Sequence, residues 1–254
     1  MLVISNGAVK SGSTWLFNIL NGLQKFHWPE PEFLTRSNTK HPTIAEPKLA
    51  KYLERGAFSS RDVISKNHLD KPDHRTLLLS HPNVRVACMT RDTRDVIVSA
   101  YYHGRLARRI EGSFTEFYWD QGRLLIPNLV MYQRTWNEPH PQAVSTSFEA
   151  LKADFQTEVG RIAGLLGVAP DAATIERLHQ ETSIDALREK YQDVPSHRTE
   201  EADFFRKGES GDWQNHFDDR ILADHDRICR NGLSPLDRHH LLTRVKRKIR
   251  RVLA

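Results

Sequence analysis

Cysteine is almost missing from this chain: Cys88 and Cys229 are the only two in 254 residues. That is too few for a disulfide framework or a four-cysteine zinc site. No apolar run approaches the roughly 18 residues that a membrane-spanning helix needs. A secretory leader is equally poorly represented, since Lys10 interrupts the first apolar run and the next, Leu16–Leu20, is short and contains Asn18. These absences lead us to expect a reducing, cytoplasmic setting. Repeats and low-complexity linkers are missing too. The simplest organisation is therefore one domain over residues 1–254, carrying a basic helical tail at about 236–254.

Charge of one sign is not in large excess either. Lys and Arg total 37 against 32 Asp and Glu, a net +5 with His neutral. Six basic side chains and no acidic one fall within Arg244–Ala254, so the rest is close to neutral. No sequence-specific nucleic-acid module is visible. The tail, with Val245, Ile249, Val252 and Leu253 among its cations, suits peripheral contact with an anionic membrane or a polyanion.

What is present is an α/β pattern. Leu2–Asn6 reads as a first strand, Gly7–Thr14 as a turn of small residues, and residues 14–24 as a helix with apolar positions at Trp15, Leu16, Ile19, Leu20 and Leu23. Prolines at 29, 31, 42 and 47 mark an irregular excursion. Further strands are expected at Val63–Ser65, Val84–Met89 and Val144–Phe148, and further helices at Arg94–Tyr102, Glu149–Leu166 and Asp171–Tyr191, the last with Ser183 as an internal cap. Short apolar strands alternating with helices predict a central parallel sheet flanked by helices.

Gly7 and Gly12 have the spacing of the nucleotide-triphosphate loop GxxxxGK[ST], and Thr14 stands where a Mg²⁺-holding hydroxyl would. Ser13 occupies the place of that loop's lysine, while Lys10 lies inside the loop. Loop amides, a helix N-terminus and a lysine together can hold a phosphate. A phosphoryl-transfer enzyme of the nucleoside-kinase type is one reading of this opening. A non-catalytic nucleic-acid or polyanion binder using Arg105, Arg108, Arg109 and the tail is another.

Four segments favour a third. Lys10-Ser11-Gly12-Ser13-Thr14-Trp15 resembles the phosphosulfate-binding loop of the sulfotransferase family, written PKSGTTW, with Val9 for the proline and Ser13 for a threonine. Arg91 to Tyr102 resembles the family's RNPKDVAVSYY, in which the arginine and the serine eight residues later hold a 3'-phosphate; here these are Arg91 and Ser99. Arg94 is better read as the partner of Asp92 or Asp95. Arg206 to Phe217 follows RKGxxGDWKNxF, with Gln214 for the lysine, and its Arg206, Lys207 and Gly208 would bind the same phosphate. Lys66-Asn67-His68-Leu69 resembles KTHLP, whose histidine is the catalytic base and whose lysine approaches the transferred group.

The resemblance implies a P-loop-like sulfotransferase fold and 3'-phosphoadenosine 5'-phosphosulfate (PAPS) as donor, leaving 3',5'-adenosine bisphosphate (PAP). It implies direct in-line transfer to a hydroxyl or amine of a small-molecule, lipid or glycan acceptor, without a metal. His68, Lys10 and Lys66 would be catalytic. Lys10, Ser11, Gly12, Ser13, Thr14 and Trp15 would bind the donor, with Trp15, Phe148, Thr182 and Ile184 around the adenine; Phe148 and Ile184 stand for the family's tyrosine and phenylalanine. The family's dimerisation signature is not visible in residues 218–234, which leaves the oligomeric state open. Tyr101, Tyr102, Phe114, Phe117, Tyr118 and Trp119 suit either an aromatic acceptor cleft or a buried helix face. His103 is expected in the same cleft, His74 is a weaker acceptor candidate, and His81 beside Pro82 reads as structural.

Overall fold

The computed structural model describes residues 1–35, 41–106, 109–192, 198–199, 202–203 and 205–237. In chain order the elements are β1 (Leu2–Gly7), α1 (Ser13–Leu23), α2 (Leu49–Arg55), β2 (Val63–Asn67), α3 (Pro72–Leu79), β3 (Val84–Thr90), α4 (Thr93–Leu106) and α5 (Phe114–Asp120). There follow α6 (Ile126–Trp136), β4 (Ala143–Ser147), α7 (Phe148–Ala153), α8 (Phe155–Leu166), α9 (Ala172–Glu181), α10 (Ile184–Lys190) and α11 (Asp219–Asn231). Strands β5 (Arg198–Thr199) and β6 (Ala202–Asp203) make a separate antiparallel pair.

The expected parallel sheet is present, in the order β2-β1-β3-β4. Its faces follow directly from the two-residue period of a strand. Leu2, Ile4, Val84, Val86 and Cys88 pack on one side with Tyr52, Tyr132 and Trp136. Val3, Ile64, Ala87 and Met89 pack on the other with α1 and α8. Both faces being covered explains why these strands read as unbroken apolar runs rather than alternating ones.

Because all four strands run the same way, the residues that follow them gather at one edge. Gly7 leads into the Lys10 loop, Asn67 into His68, Thr90 into Arg91, and Ser147 into Phe148. Four separate stretches of sequence thus converge on a single rim, where open α/β sheets bind ligands.

Helix boundaries differ from expectation in one informative place. The single helix expected over 149–166 is two, broken at Asp154, whose carboxylate accepts from the Thr157 N–H at 3.0 Å and caps α8. Phe148 belongs to α7 rather than to the strand, with Ser147 as its cap. The Asp171–Tyr191 stretch divides at Ser183 as expected, the serine accepting from the Ala186 N–H. The basic tail beyond Asp237 and Arg108 lie outside the described residues.

Candidate active site

The rim opens into a cavity of about 570 Å³. Its first wall is the loop after β1. Gly7 has no room for a side chain, since a Cβ there would lie 2.5 Å from the Ser13 Cβ. Lys10 and Gly12 both take left-handed backbone, with φ of 61° and 93°, which curls the loop over the start of α1. Ser11 closes the turn from beneath, its hydroxyl bonding to the Ala8 and Met89 carbonyls at 2.7 and 2.9 Å.

Helices α5, α7, α8, α9, α10 and α11 each begin with a Ser or Asp side chain on a first-turn amide. Like α2, α3 and α6, α1 has no side-chain cap; Gly12 stands at that position and no acid lies in its first turn. The Ser13 and Thr14 amides are therefore left to the cavity, with the positive end of the helix dipole behind them. Among charged residues the lining holds Lys10, Lys66, Arg91, Lys152, Arg206 and Lys207 against one acid, Glu209. Six cations against one acid give the cavity a positive lining that suits an anion.

Lys66, the last residue but one of β2, donates to the Thr14 hydroxyl at 2.8 Å and so points at the same loop. Burial pushes its pKa down to about 7. Burial, followed by the Lys66 and Arg91 charges, does the same for Lys10, also to about 7. His68 follows at the end of β2 and lines the cavity. Its Nδ1 meets the Gly7 carbonyl at 2.6 Å. A carbonyl only accepts, so Nδ1 carries the proton and Nε2 keeps a free lone pair. Loss of solvation lowers the His68 pKa; the Gly7 bond opposes that, and Lys66 and Lys10 reinforce it.

The opposite wall is a seam. Arg91 lies over the Phe148 ring, 4.3 Å from its centre, and donates to the Glu209 carbonyl at 2.6 Å. Its buried Nε has no hydrogen-bond partner, which is costly unless a ligand supplies one. Ser99 lines the cavity two turns along α4, and Arg206, Lys207 and Gly208 face it from the segment across. Asp212, buried among them, accepts from Arg206 and from Lys207 at 2.8 Å. Burial alone would raise its pKa, but the Lys207 and Arg206 hydrogen bonds outweigh this and hold it well below the usual carboxylate range.

At the far end Trp15 meets Phe148 edge-on at 5.4 Å and stacks on Phe155 at 6.1 Å. Its indole N–H donates to the Thr182 hydroxyl at 3.0 Å, which in turn donates to the Leu178 carbonyl at 2.7 Å. Thr182 therefore fixes the indole plane. Ile184 fills the space above Gly208, where an added Cβ would lie 2.7 Å from its Cδ1.

The structure thus brings together Lys10, Gly12, Ser13, Thr14, Trp15, Lys66, His68, Arg91, Ser99, Phe148, Thr182, Ile184, Arg206, Lys207 and Gly208 around one cavity. Ser11 is the exception, since both its N–H and its hydroxyl are bonded inside the loop. His103 lines the cavity as expected. His74 does not: it is buried on α3, with Nε2 3.0 Å from Glu46. His81 is structural, its carbonyl accepting from Val84 and Gln142. Tyr101, Phe114, Phe117 and Tyr118 form core with Phe217 and Ile221 and are not among the residues lining this cavity, while the Tyr102 ring is covered by Arg206 at 4.2 Å. Arg94 pairs with Asp92, and its guanidinium lies 3.6 Å from the Trp213 ring centre. Asp212, Lys152 and His179 had no role from sequence, and Asp95 was offered only as a partner of Arg94, a place that Asp92 takes; Asp95 and Asp212 carry a signal only in retrospect, as acids standing inside cationic segments.

Binding of a polyanion should be coupled to protons. Lys10 and Lys66 titrate near 7 in the free protein, and an anion between them favours their charged forms. Between about pH 7 and pH 9 binding should therefore take up close to one proton or more, and affinity should fall as pH rises. Calorimetry in two buffers of different ionisation enthalpy reads this directly; an enthalpy independent of buffer would refute it.

Comparison with known proteins agrees with this geometry. Residues 3–241 match the sulfotransferase domain family. The chain is 24% identical over 226 residues to human sulfotransferase 1C2, covering 82% of this chain and 75% of that one. It is 28% identical over 145 residues to guinea pig (Cavia porcellus) sulfotransferase 1E1, covering 52% of this chain and about half, 49%, of that protein's length. Among solved structures, retinol dehydratase in complex with retinol and PAP superposes with a TM-score of 0.63 at 20% identity, over 92% of this chain and 81% of that one. Mouse sulfotransferase SULT7A1 complexed with PAP gives 0.62 at 16%, over 93% and 86%.

Proposed function

The chain belongs to the sulfotransferase domain family, and from that premise we propose that it transfers a sulfuryl group from PAPS to a hydroxyl or amine of a small-molecule, lipid or glycan acceptor. The observation that carries the proposal is the seam. An arginine with a buried, unpartnered Nε, a serine on the next helix and an Arg-Lys-Gly segment from far along the chain meet in one cavity with an uncapped helix and two lysines. Two anionic groups held apart by an aromatic-walled pocket fit that set, and the donor has such groups at the two ends of an adenosine.

The residues divide the work. Arg91, Ser99 and Arg206–Gly208 would hold the 3'-phosphate, and Trp15, Phe148, Thr182 and Ile184 the base. Lys10, Gly12, Ser13 and Thr14 would hold the 5' end. When bound, the donor supplies a sulfuryl group on a phosphate leaving group. His68 Nε2 would take the proton of the acceptor, its ring oriented by the Gly7 carbonyl. Lys10 and Lys66 would compensate negative charge as it develops on the bridging oxygen. PAP would be the nucleotide product.

Calorimetric titration with PAP, with AMP and with ATP plus magnesium tests the reading. We expect micromolar binding of PAP, with AMP weaker by at least tenfold, since each charge-assisted hydrogen bond to the extra phosphate contributes about 1.5–3 kcal/mol. Tight ATP–magnesium binding with no preference for a 3'-phosphate would overturn it in favour of phosphoryl transfer.

A further inference from the structure

The two halves of the 3'-phosphate wall are far apart in sequence, and one buried carboxylate joins them. Asp95 is the third residue of α4 and only 2% exposed. An acid there would ordinarily serve the amides of its own first turn. Here that task falls to Asp92, whose Oδ1 accepts from the Arg94 N–H at 2.9 Å. Asp95 instead turns outward from its helix. Its Oδ2 accepts from the Gly211 N–H at 2.7 Å and its Oδ1 from the Trp213 N–H at 3.0 Å.

Gly211 takes a left-handed φ of 84°, which allows two amides so close in sequence to face one carboxylate. Neighbouring contacts run along the same line: Arg91 to the Glu209 carbonyl, Arg94 over Trp213, Arg206 over Tyr102. The segment from Arg206 to Trp213 is thus laid along α4, with Arg91 and Ser99 exposed to the cavity between them.

We propose that Asp95 is a positioning residue for donor selectivity: by binding the Gly211 and Trp213 amides it fixes Arg206, Lys207 and Gly208 opposite Arg91 and Ser99, so that the pocket for a 3'-phosphate exists before the donor arrives. The inference rests on the function proposed above. Preorganisation of this kind raises affinity by removing the ordering cost from the binding step. It acts on the 3'-phosphate alone, because the base and the 5' end are held by other elements. Its sign is opposite to that of simple electrostatics, under which deleting a negative charge beside a phosphate pocket would tighten binding.

Asp95→Asn tests it. The amide offers one acceptor where two N–H groups each need one, and turns its own N–H toward the second. We expect the PAP dissociation constant to rise at least tenfold, the AMP constant to stay within about twofold, and the ratio between them to collapse accordingly. An unchanged ratio, an equal loss for both nucleotides, or tighter PAP binding would overturn the proposal. A second measurement uses the unaltered, ligand-free protein. The Gly211 and Trp213 amides should exchange with solvent as slowly as those of α4, and rapid exchange would also overturn it. If the unaltered protein itself shows no preference for PAP over AMP, the proposed function fails, whereas slow exchange at those two amides would still stand as a property of the fold.

Discussion

His68→Ala should lower the turnover number by about 10²- to 10⁴-fold, the usual contribution of a positioned general base, while leaving the dissociation constant for PAP unchanged. The split follows from where His68 sits. Its ring lines the cavity beside the loop and lysines that would meet the anionic end of the donor, and among the described residues its hydrogen bond is to the Gly7 carbonyl. His68→Asn sharpens the test, because an amide can still donate to the Gly7 carbonyl but has no basic nitrogen; it should be as slow as the alanine variant. In the unaltered enzyme the rate at saturating donor should climb with pH through the His68 pKa and then level. Loss of solvation lowers that pKa, so the acid limb should lie at lower pH than a free imidazole would place it. Loss of this acid limb in both variants would accompany the loss of rate. Turnover near the normal level, with the limb retained, would exclude His68 as the base.

Much of this site could be read before the fold was known, for a reason visible in particular residues. The anion-binding groups follow strand ends directly, and strands buried on both faces leave unmistakable apolar runs such as Val84 to Met89. Once β1, β2, β3 and β4 are recognised as parallel, Lys10, His68, Arg91 and Phe148 must share an edge. Less legible were features decided by which way a side chain turns and what it meets there. Asp154 looks like any helical acid until its carboxylate is seen to cap the next helix. Phe114, Phe117 and Tyr118 have the same spacing whether they face a ligand or Phe217, and here α11 and the segment before it cover them. His74 was set aside from the cavity by Glu46, and Ser11 by its own turn. Asp95 and Asp212 are the clearest case. Nothing local distinguishes an acid that solubilises a helix from one that, like Asp95, holds a segment more than a hundred residues away or, like Asp212, gathers the Arg206 and Lys207 cations of its own segment.

Lys10→Met is the second variant with a large expected effect. Methionine keeps most of the aliphatic stem and tolerates the left-handed backbone at this position no worse than lysine does, so the loop should retain its path. What is removed is one positive charge. At about 4 Å and an effective dielectric near 20, such a charge is worth about 4 kcal/mol to an oxygen gaining a full negative charge, which corresponds to about 10³ in rate. Deletion of a single preorganised donor in other enzymes costs about 10²- to 10³-fold, so we expect a fall in turnover of about that size. Stability should move the other way or not at all. Burial, and after it the Lys66 and Arg91 charges, push the Lys10 pKa down to about 7, so an apolar side chain relieves a cost of desolvation. A slower enzyme with an unchanged or higher melting temperature would therefore identify Lys10 as a group maintained for the reaction at the expense of the fold. Slower turnover together with a lower melting temperature would instead mean that the lysine shapes the loop, and the charge argument would fail.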